Sequence, residues 1–120
     1  MKFVKLAEVP REPLVTPLFT GPEVTRQPIV TESKELRMNN VNFGKGIRNK
    51  FHVHDVDQIL IITAGTGYVA TEKEKRLVTV GDVVWIPAGE KHWHGATEDS
   101  EFSHIAVTRA EHHQTTQSEE

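Results

Sequence analysis

The 120-residue chain is long enough for one domain with a hydrophobic core and too short for a second. Its 14 basic and 17 acidic side chains give a formal net charge of −3, which offers no basic field to nucleic acid. Its longest apolar runs, ILII and VVWI, are too short to span a bilayer, and its first ten residues lack the features of a signal peptide. We therefore expect a cytoplasmic protein that binds neither nucleic acid nor membranes.

The N-terminal third differs in composition from the rest, because five of the six prolines lie within residues 1–34. Proline cannot donate to a β-ladder and is confined to sheet edges. The segment is therefore predicted to form an arm of extended edge strands that wraps the domain, or a strand lent to a partner subunit.

Residues 35–109 show short β-rich runs, and helical periodicity is hard to find anywhere in the chain. The breaks between the runs are rich in glycine, proline and acidic residues, which is typical of an all-β sandwich or barrel. Gly81-Asp82 is suited to a tight reversal, and Pro87 marks the end of a strand. The predicted strands are 36–43, 47–54, 58–63, 67–71, 77–80, 83–86, 91–94 and 102–108.

The last eleven residues, AEHHQTTQSEE, are polar, so residues 110–120 are predicted to form a flexible tail. The tail holds His112 and His113, which are expected to be solvated and are assigned no role.

Two histidine pairs carry the chemistry of this sequence. His52 and His54 share one face of a predicted strand, since side chains at i and i+2 point the same way. A short acidic turn then brings Gln58 back beside them, and His92 and His94 repeat the pattern. The chain has no cysteine, so any metal must be held by nitrogen and oxygen donors. Spacing alone leaves two readings open, a metal site and a polar lining of the barrel.

The first histidine pair lies in a longer pattern that resembles the first sequence motif of the cupins, a family of small β-barrels. That motif is a glycine, five residues, H-x-H, three or four residues, a glutamate, six residues and a glycine. Here Gly46, IRNKF, His52 and His54, DVD, Gln58, ILIITA and Gly65 match every interval. Gln58 stands where the family has glutamate.

The second histidine pair resembles the second cupin motif, a glycine, five residues, P-x-G, two residues, a histidine, three residues and an asparagine. Gly81, DVVWI, the run PAG at 87–89, EK and His92 match it, with Ala96 in place of the asparagine. The resemblance covers residues 36–108 and leaves the N-terminal third outside. It implies a cupin-type double-stranded β-helix, or jelly-roll barrel, with an extended N-terminal segment.

By the same resemblance the metal ligands are His52, His54, Gln58 and His92. Imidazole nitrogen and an amide oxygen suit one divalent transition metal per chain, with Mn or Fe favoured and Ni, Zn or Cu as alternatives. An amide adds no negative charge, so the site is expected to bind metal less tightly than a glutamate site and to be a stronger Lewis acid.

The strings QILIITAGTGYV and GEKHWHGA resemble a subgroup of small bacterial cupins that includes metal-dependent hydroxynitrile lyases with a His/His/Gln/His site. This resemblance implies that Met38 and Asn40 help to shape a pocket for a small-molecule substrate. Alternation in FSHIAVT turns His104 to the same face as Phe102, and two readings of His104 stay open, a half-buried structural histidine and a residue of the cavity. In the second reading we predict a general base with a pKa near neutrality, with His94 as the second candidate.

Three functions remain open at this stage. The first is a metal-dependent lyase acting on a small hydroxylated or carbonyl compound, the second a quercetinase-like dioxygenase, and the third a non-catalytic binder of a small molecule. Gln58 and the two extra histidines favour the lyase. A homodimer is also expected, because sheet edges and outward apolar residues such as Ile59, Ile61 and Trp93 need cover.

Overall fold

A computed structural model describes residues 1–111 and 113–119 of the protein, and His112 lies outside them. Within those residues the regular structure is β apart from one short 3-10 helix at Leu6–Glu8. None of the helical structure found there is long and apolar enough to cross a membrane. The strands are β1 (Glu12–Pro13), β2 (Val24–Ile29), β3 (Leu36–Phe43), β4 (His52–His54), β5 (Gln58–Thr71), β6 (Lys75–Thr79), β7 (Val83–Ile86), β8 (His92–Ala96), β9 (Phe102–Arg109) and β10 (Thr115–Gln117).

The strands form one curled antiparallel sheet in the order β1-β2-β3-β9-β5-β8-β4-β10, with β6 and β7 each paired to β5. Strands distant in sequence are neighbours in this sheet, as in the pairing of β3 with β9 and of β4 with β8. The curling encloses one interior. The predicted all-β class is therefore confirmed, and the architecture is consistent with a jelly-roll barrel.

Strand β5 corrects the prediction of a break at AGTG, because it runs without interruption from Gln58 to Thr71. Its pairing with β9 shifts register between Ile62 and Ala64, which marks a bulge. Gly65 follows with φ 70°, and a Cβ atom there would lie 1.7 Å from the carbonyl oxygen of Glu101. The glycine thus permits a close backbone approach within a continuous strand.

Strand β4 is shorter than predicted. Only His52–His54 pair as a strand, whereas the residues before them make isolated bridges, Phe19 with Asn49 and Arg48 with Gly95. The predictions for 36–43 and 83–86 agree with β3 and β7.

The N-terminal segment adds edge strands to the sheet of its own chain. β2 pairs with β3, and β1 pairs with β2. The side-chain amide of Gln27 donates to the carbonyl oxygens of Leu6, at 3.1 Å, and Val9, at 2.9 Å. These bonds hold the arm against the outer face of the sheet.

The core lies on the inner face, where alternate residues of β2, β3, β5 and β9 meet. Phe43, Leu60, Ile62 and Phe102 are buried there with Val24. Burial of an apolar side chain of this size contributes about 1.5–3 kcal/mol to stability. Five histidines share this interior with the core, namely His52, His54, His92, His94 and His104.

Candidate metal centre

Three buried histidines meet at the junction of β4 and β8. His52 and His54 lie on one face of β4, and His52 is paired in register with His92 of β8. The ring centroids of His52 and His92 are 4.3 Å apart, and those of His52 and His54 are 4.8 Å apart. One ligand nitrogen from each ring lies within 4.8 Å of the others, a spacing that a metal ion could bridge.

Hydrogen bonds at Nδ1 set the tautomers of two of these rings. Nδ1 of His52 lies 2.6 Å from the carbonyl oxygen of Lys50, and Nδ1 of His92 lies 2.9 Å from that of Glu90. A carbonyl only accepts, so each Nδ1 carries the proton and each Nε2 presents a lone pair. This outer hydrogen bond is the one that metal-ligating histidines use.

The third ring and Gln58 complete the donor set. Nε2 of His54 is buried without a hydrogen-bond partner in the described residues. Oε1 of Gln58, at the start of β5, lies 3.3 Å from Nε2 of His92, so two acceptor atoms face each other. A shared cation would satisfy all of these lone pairs. The residues present therefore fit a transition metal with nitrogen and oxygen ligands.

Burial keeps the cluster neutral. It lowers the pKa of His52 to about 4 and that of His54 to about 3, with smaller contributions from the neighbouring imidazoles. Burial also lowers the pKa of His92. Neutral imidazoles are the protonation state that metal binding needs, so the site requires no proton release near pH 7.

A second pair of histidines lies behind the cluster. The ring of His94 is 5.6 Å from that of His92 and 5.7 Å from that of His52. Its Nδ1 lies 2.9 Å from Nε2 of His104. Asn49 fixes this arrangement, because its Oδ1 accepts the backbone N–H of His94 at 2.8 Å. The structure thus places His94 beside the cluster and His104 one layer further away.

Both members of this pair are neutral. Burial is the first cause in each case, and it lowers the pKa of His94 well below its ordinary value and that of His104 to about 4. Phe43 and Phe102 pack against the ring of His104, at 5.5 and 5.7 Å between centroids. Nδ1 of His104 is buried and has no hydrogen-bond partner in the described residues. Both rings are therefore unprotonated near pH 7, and the same burial makes each of them a weaker base than a general base with its pKa near the working pH.

A cavity of about 510 Å³ reaches the cluster at His92. Its walls include Val69, Val78, Val84 and Ile86 from β5, β6 and β7. The same walls carry the charged residues Glu74, Arg76, Asp82 and Glu90, so apolar and polar groups line the cavity in similar measure. Sequence reasoning missed these wall residues. The alternation within β6 and β7 was the signal available, but only the closure of the sheet shows which cavity they line.

Met38 and Asn40, the two predicted pocket residues, are not brought together with the histidines. Phe43 of the same strand faces the core, so alternation turns Asn40 to the outer face. There its amide donates to Oε1 of Gln27 at 2.9 Å and its Oδ1 accepts the hydroxyl of Thr63 at 2.7 Å. Met38 has the same parity as Asn40 and lines a separate depression between β2 and β3, whose lining includes none of the five buried histidines.

His113 is a further residue that sequence reasoning missed. Its Nε2 lies 3.1 Å from Nδ1 of His54, although the sequence pattern assigned it to a solvated tail. Nothing in the local sequence marks this contact, because it depends on the pairing of β10 with β4.

A family model described as a cupin domain matches residues 40–108 of the chain. The protein belongs to the cupin family. The match includes His52, His54, Gln58 and His92, so the whole candidate centre lies inside the region that defines the family. The resemblance found in the sequence motifs is thereby confirmed.

The proteins to which this cupin is similar include two curated proteins and a solved structure. It is 42% identical over 69 residues to (R)-mandelonitrile lyase of Granulicella tundricola, covering 57% of this chain and 53% of that protein. It is 38% identical over 68 residues to pectin degradation protein KdgF of Dickeya dadantii, covering 56% and 62% respectively. The matched region thus spans little more than half the length of these relatives. A cupin-like protein from Thermotoga maritima superposes with a TM-score of 0.81 at 32% identity, over 89% of this chain and 84% of that one.

Proposed function

We propose that this cupin is a metal-dependent lyase acting on a small hydroxylated or carbonyl compound, with hydroxynitrile cleavage as the reaction class. The observation that carries the proposal is the pairing of two buried, neutral histidine groups. One group, His52, His54 and His92, presents lone pairs to a common point. The other, His94 and His104, lies beside it and is unprotonated.

The ligands in this proposal are His52, His54, Gln58 and His92, holding one divalent transition metal per chain, with Mn or Fe favoured. When bound, such a metal supplies a Lewis acid that stabilises negative charge on an oxygen or on a small leaving group. The neutral Gln58 amide leaves the cation its full charge, which favours Lewis-acid chemistry over oxidation chemistry.

In this proposal His94 and His104 transfer the proton. His94, which lies nearer the cluster than the predicted base His104, accepts the hydroxyl proton of a hydroxynitrile while the hydroxyl oxygen forms a carbonyl. The carbon–carbon bond to the nitrile breaks, and its electron pair leaves with cyanide. The proton then passes to cyanide, which departs as hydrogen cyanide, and the pair returns to its neutral state. His104 stabilises the transient charge through its 2.9 Å hydrogen bond to His94.

In this proposal a substrate approaches the centre through the cavity that reaches His92. Val69, Val78 and Ile86 offer an apolar surface to the part of a substrate that does not react. The similarity to a protein named (R)-mandelonitrile lyase supports the same class of substrate.

Metal content and a substrate panel test this proposal. Protein purified without a histidine tag should contain about one divalent transition metal per chain by elemental analysis. Mandelonitrile-type cyanohydrins, flavonols and diketones should then be assayed with and without oxygen. Cyanohydrin cleavage that persists without oxygen and is lost with chelator is expected. Turnover that requires oxygen would instead establish a dioxygenase, and metal binding without turnover of any compound would establish a binder.

A further inference from the structure

The C-terminal strand lies directly against the strand that carries two of the proposed ligands. β10 pairs with β4 in antiparallel register, with Thr115 opposite His54 and Gln117 opposite His52. The ladder is extended by the backbone N–H of Ser118, which donates to the carbonyl oxygen of Phe51 at 2.9 Å. Without β10, one edge of this short ligand strand would be unpaired.

Polar contacts anchor β10 at both ends. The Glu119 carboxylate accepts the backbone N–H of Phe51 at 2.8 Å and the guanidinium of Arg48 at 2.9 Å. These two contacts lower the pKa of Glu119, the Phe51 bond more than the arginine. At the other end, the Asp55 carboxylate accepts the backbone N–H of Gln114 at 2.6 Å. Strand β10 is thus held to the residues that flank His52 and His54.

The hydroxyl of Thr115 is a hydrogen-bond partner of Nδ1 of His54, as backbone carbonyls are for Nδ1 of His52 and His92. His52 and His92 each meet the carbonyl oxygen of the residue two positions earlier, Lys50 and Glu90. Nδ1 of His54 instead lies 2.8 Å from the hydroxyl of Thr115, which is 61 residues away in sequence. Of the three rings, His54 alone depends on a distant side chain for this bond.

The hydroxyl of Thr115 has a consistent set of partners. It can accept the Nδ1–H of His54 while its own proton is donated to Nε2 of His113, 3.3 Å away. Nε2 of His113 also lies 3.1 Å from Nδ1 of His54, which makes it a second acceptor for the same proton, at a longer distance than the 2.8 Å to the hydroxyl. In this arrangement Nε2 of His54 carries a lone pair, and that atom is buried without another partner in the described residues. The proton order therefore directs His54 toward the point shared with His52 and His92.

We propose that the pairing of β10 with β4 is required for full metal affinity. Thr115 is the positioning residue that holds His54 as a ligand. The inference rests on the metal-binding part of the proposed function and adds to it. The ligand is a divalent transition metal, and the C-terminal strand determines how tightly the chain holds it.

Three variants isolate the Thr115 hydroxyl. Thr115→Val removes it while preserving shape and strand propensity, and Thr115→Ser restores it. Thr116→Val makes the same chemical change at the next residue, whose side chain points to the opposite face of the strand. Zn²⁺ affinity is measured for each by competition with a chelating dye. The tautomer of His54 is read from imidazole nitrogen chemical shifts in metal-free protein.

Thr115→Val should weaken Zn²⁺ binding by roughly 10–100-fold, as loss of an outer-shell partner does elsewhere. It should also reduce the fraction of His54 protonated at Nδ1. Thr115→Ser and Thr116→Val should match the wild type in both readouts. If wild-type protein binds Zn²⁺ and Thr115→Val binds it equally well with an unchanged tautomer, this inference fails and the proposed function stands. Equal losses in Thr115→Val and Thr116→Val would also overturn it, and a wild type that binds no metal would overturn both proposals.

Discussion

Nδ1 of His94 lies 2.9 Å from Nε2 of His104, and neither ring reaches solvent to any appreciable degree, with exposed fractions of 4% and 0%. Neither residue belongs to the three-histidine cluster, yet His94 stands next to it. This hydrogen bond satisfies one nitrogen of each ring, whereas Nδ1 of His104 is buried without a partner in the described residues. The interior thus holds two adjacent groups of histidines. We propose that the first, His52, His54 and His92, binds metal and that the second, the pair of His94 and His104, transfers a proton.

Replacement of His104 should separate these two roles. In His104→Ala the metal content should stay at the wild-type level, because His104 lies one layer behind the cluster. Turnover of a cyanohydrin should fall on the order of 10²–10⁴-fold, as expected for impaired proton transfer. Elemental analysis and steady-state kinetics on the same preparation check both. Loss of metal together with activity would contradict the division of roles.

Replacement of Gln58 should change metal affinity in opposite directions. Gln58→Glu adds a carboxylate charge next to the cation and should tighten binding on the order of tenfold or more, which corresponds to about 1.4 kcal/mol. Gln58→Ala should weaken it, since one of four protein donors is lost. Competition with a chelating dye measures both. If the Glu and Ala variants bound metal equally well, Gln58 would not be a ligand.

Removal of a cluster histidine should have a larger effect. His52→Ala and His92→Ala should each lose most of the bound metal, because each supplies one of four donors and the two rings are 4.3 Å apart. Asn40→Ala is a control of similar burial on the outer face of the sheet and should keep its metal. Elemental analysis after dialysis distinguishes these outcomes.

The stability of metal-free protein should depend on pH through the buried histidines. Their pKa falls from 6.5 to about 4 for His52 and His104 and to about 3 for His54. Below pH 6.5 these histidines therefore bind protons in the unfolded chain but stay neutral in the folded chain. Stability should be fully present above about pH 6.5 and be lost as the pH falls toward 4. Each histidine contributes up to about 1.4 kcal/mol per pH unit over that interval.

Urea unfolding with a chelator present, repeated between pH 7 and 4.5, measures this slope. His104→Gln removes one titrating group and should make the slope shallower. A free energy of unfolding that is independent of pH in wild-type protein would show that the histidines are not buried in the neutral state.

The predicted homodimer can be tested on the outer face of β5 and β7. Ile59 pairs with Trp85, and their exposed fractions are 39% and 63%. Trp93, which was expected to face outward and need cover, is half-buried, and the guanidinium of Arg48 of the same chain lies 4.5 Å from its ring centroid. Sedimentation at micromolar concentration should give a dimer, and Trp85→Lys should shift it to monomer. Leu77→Lys, at an equally exposed site on β6, should leave the dimer intact, and a monomeric wild type would contradict the prediction.

The sequence by itself determined the β class and the local geometry of the ligands. Strand side chains alternate with a period of two, so His52 and His54 must share a face wherever their strand lies. The same periodicity predicted that His104 would face the interior with Phe102, and the structure buries both. The intervals within two sequence motifs resembled those of the cupins, and the family match over residues 40–108 confirms that resemblance.

Tertiary structure alone decided what depends on partners distant in sequence. The polar C-terminal residues form β10 because β4 offers an edge, and that pairing carries Thr115 to His54. Asn40 does not face the predicted pocket, because Phe43 of the same strand packs in the core and residues three apart on a strand point to opposite faces. A short polar segment such as β10 has no hydrophobic periodicity that indicates which strand it will pair with. The pairing is favourable because the partner strand has unpaired backbone N–H and C=O groups at its edge.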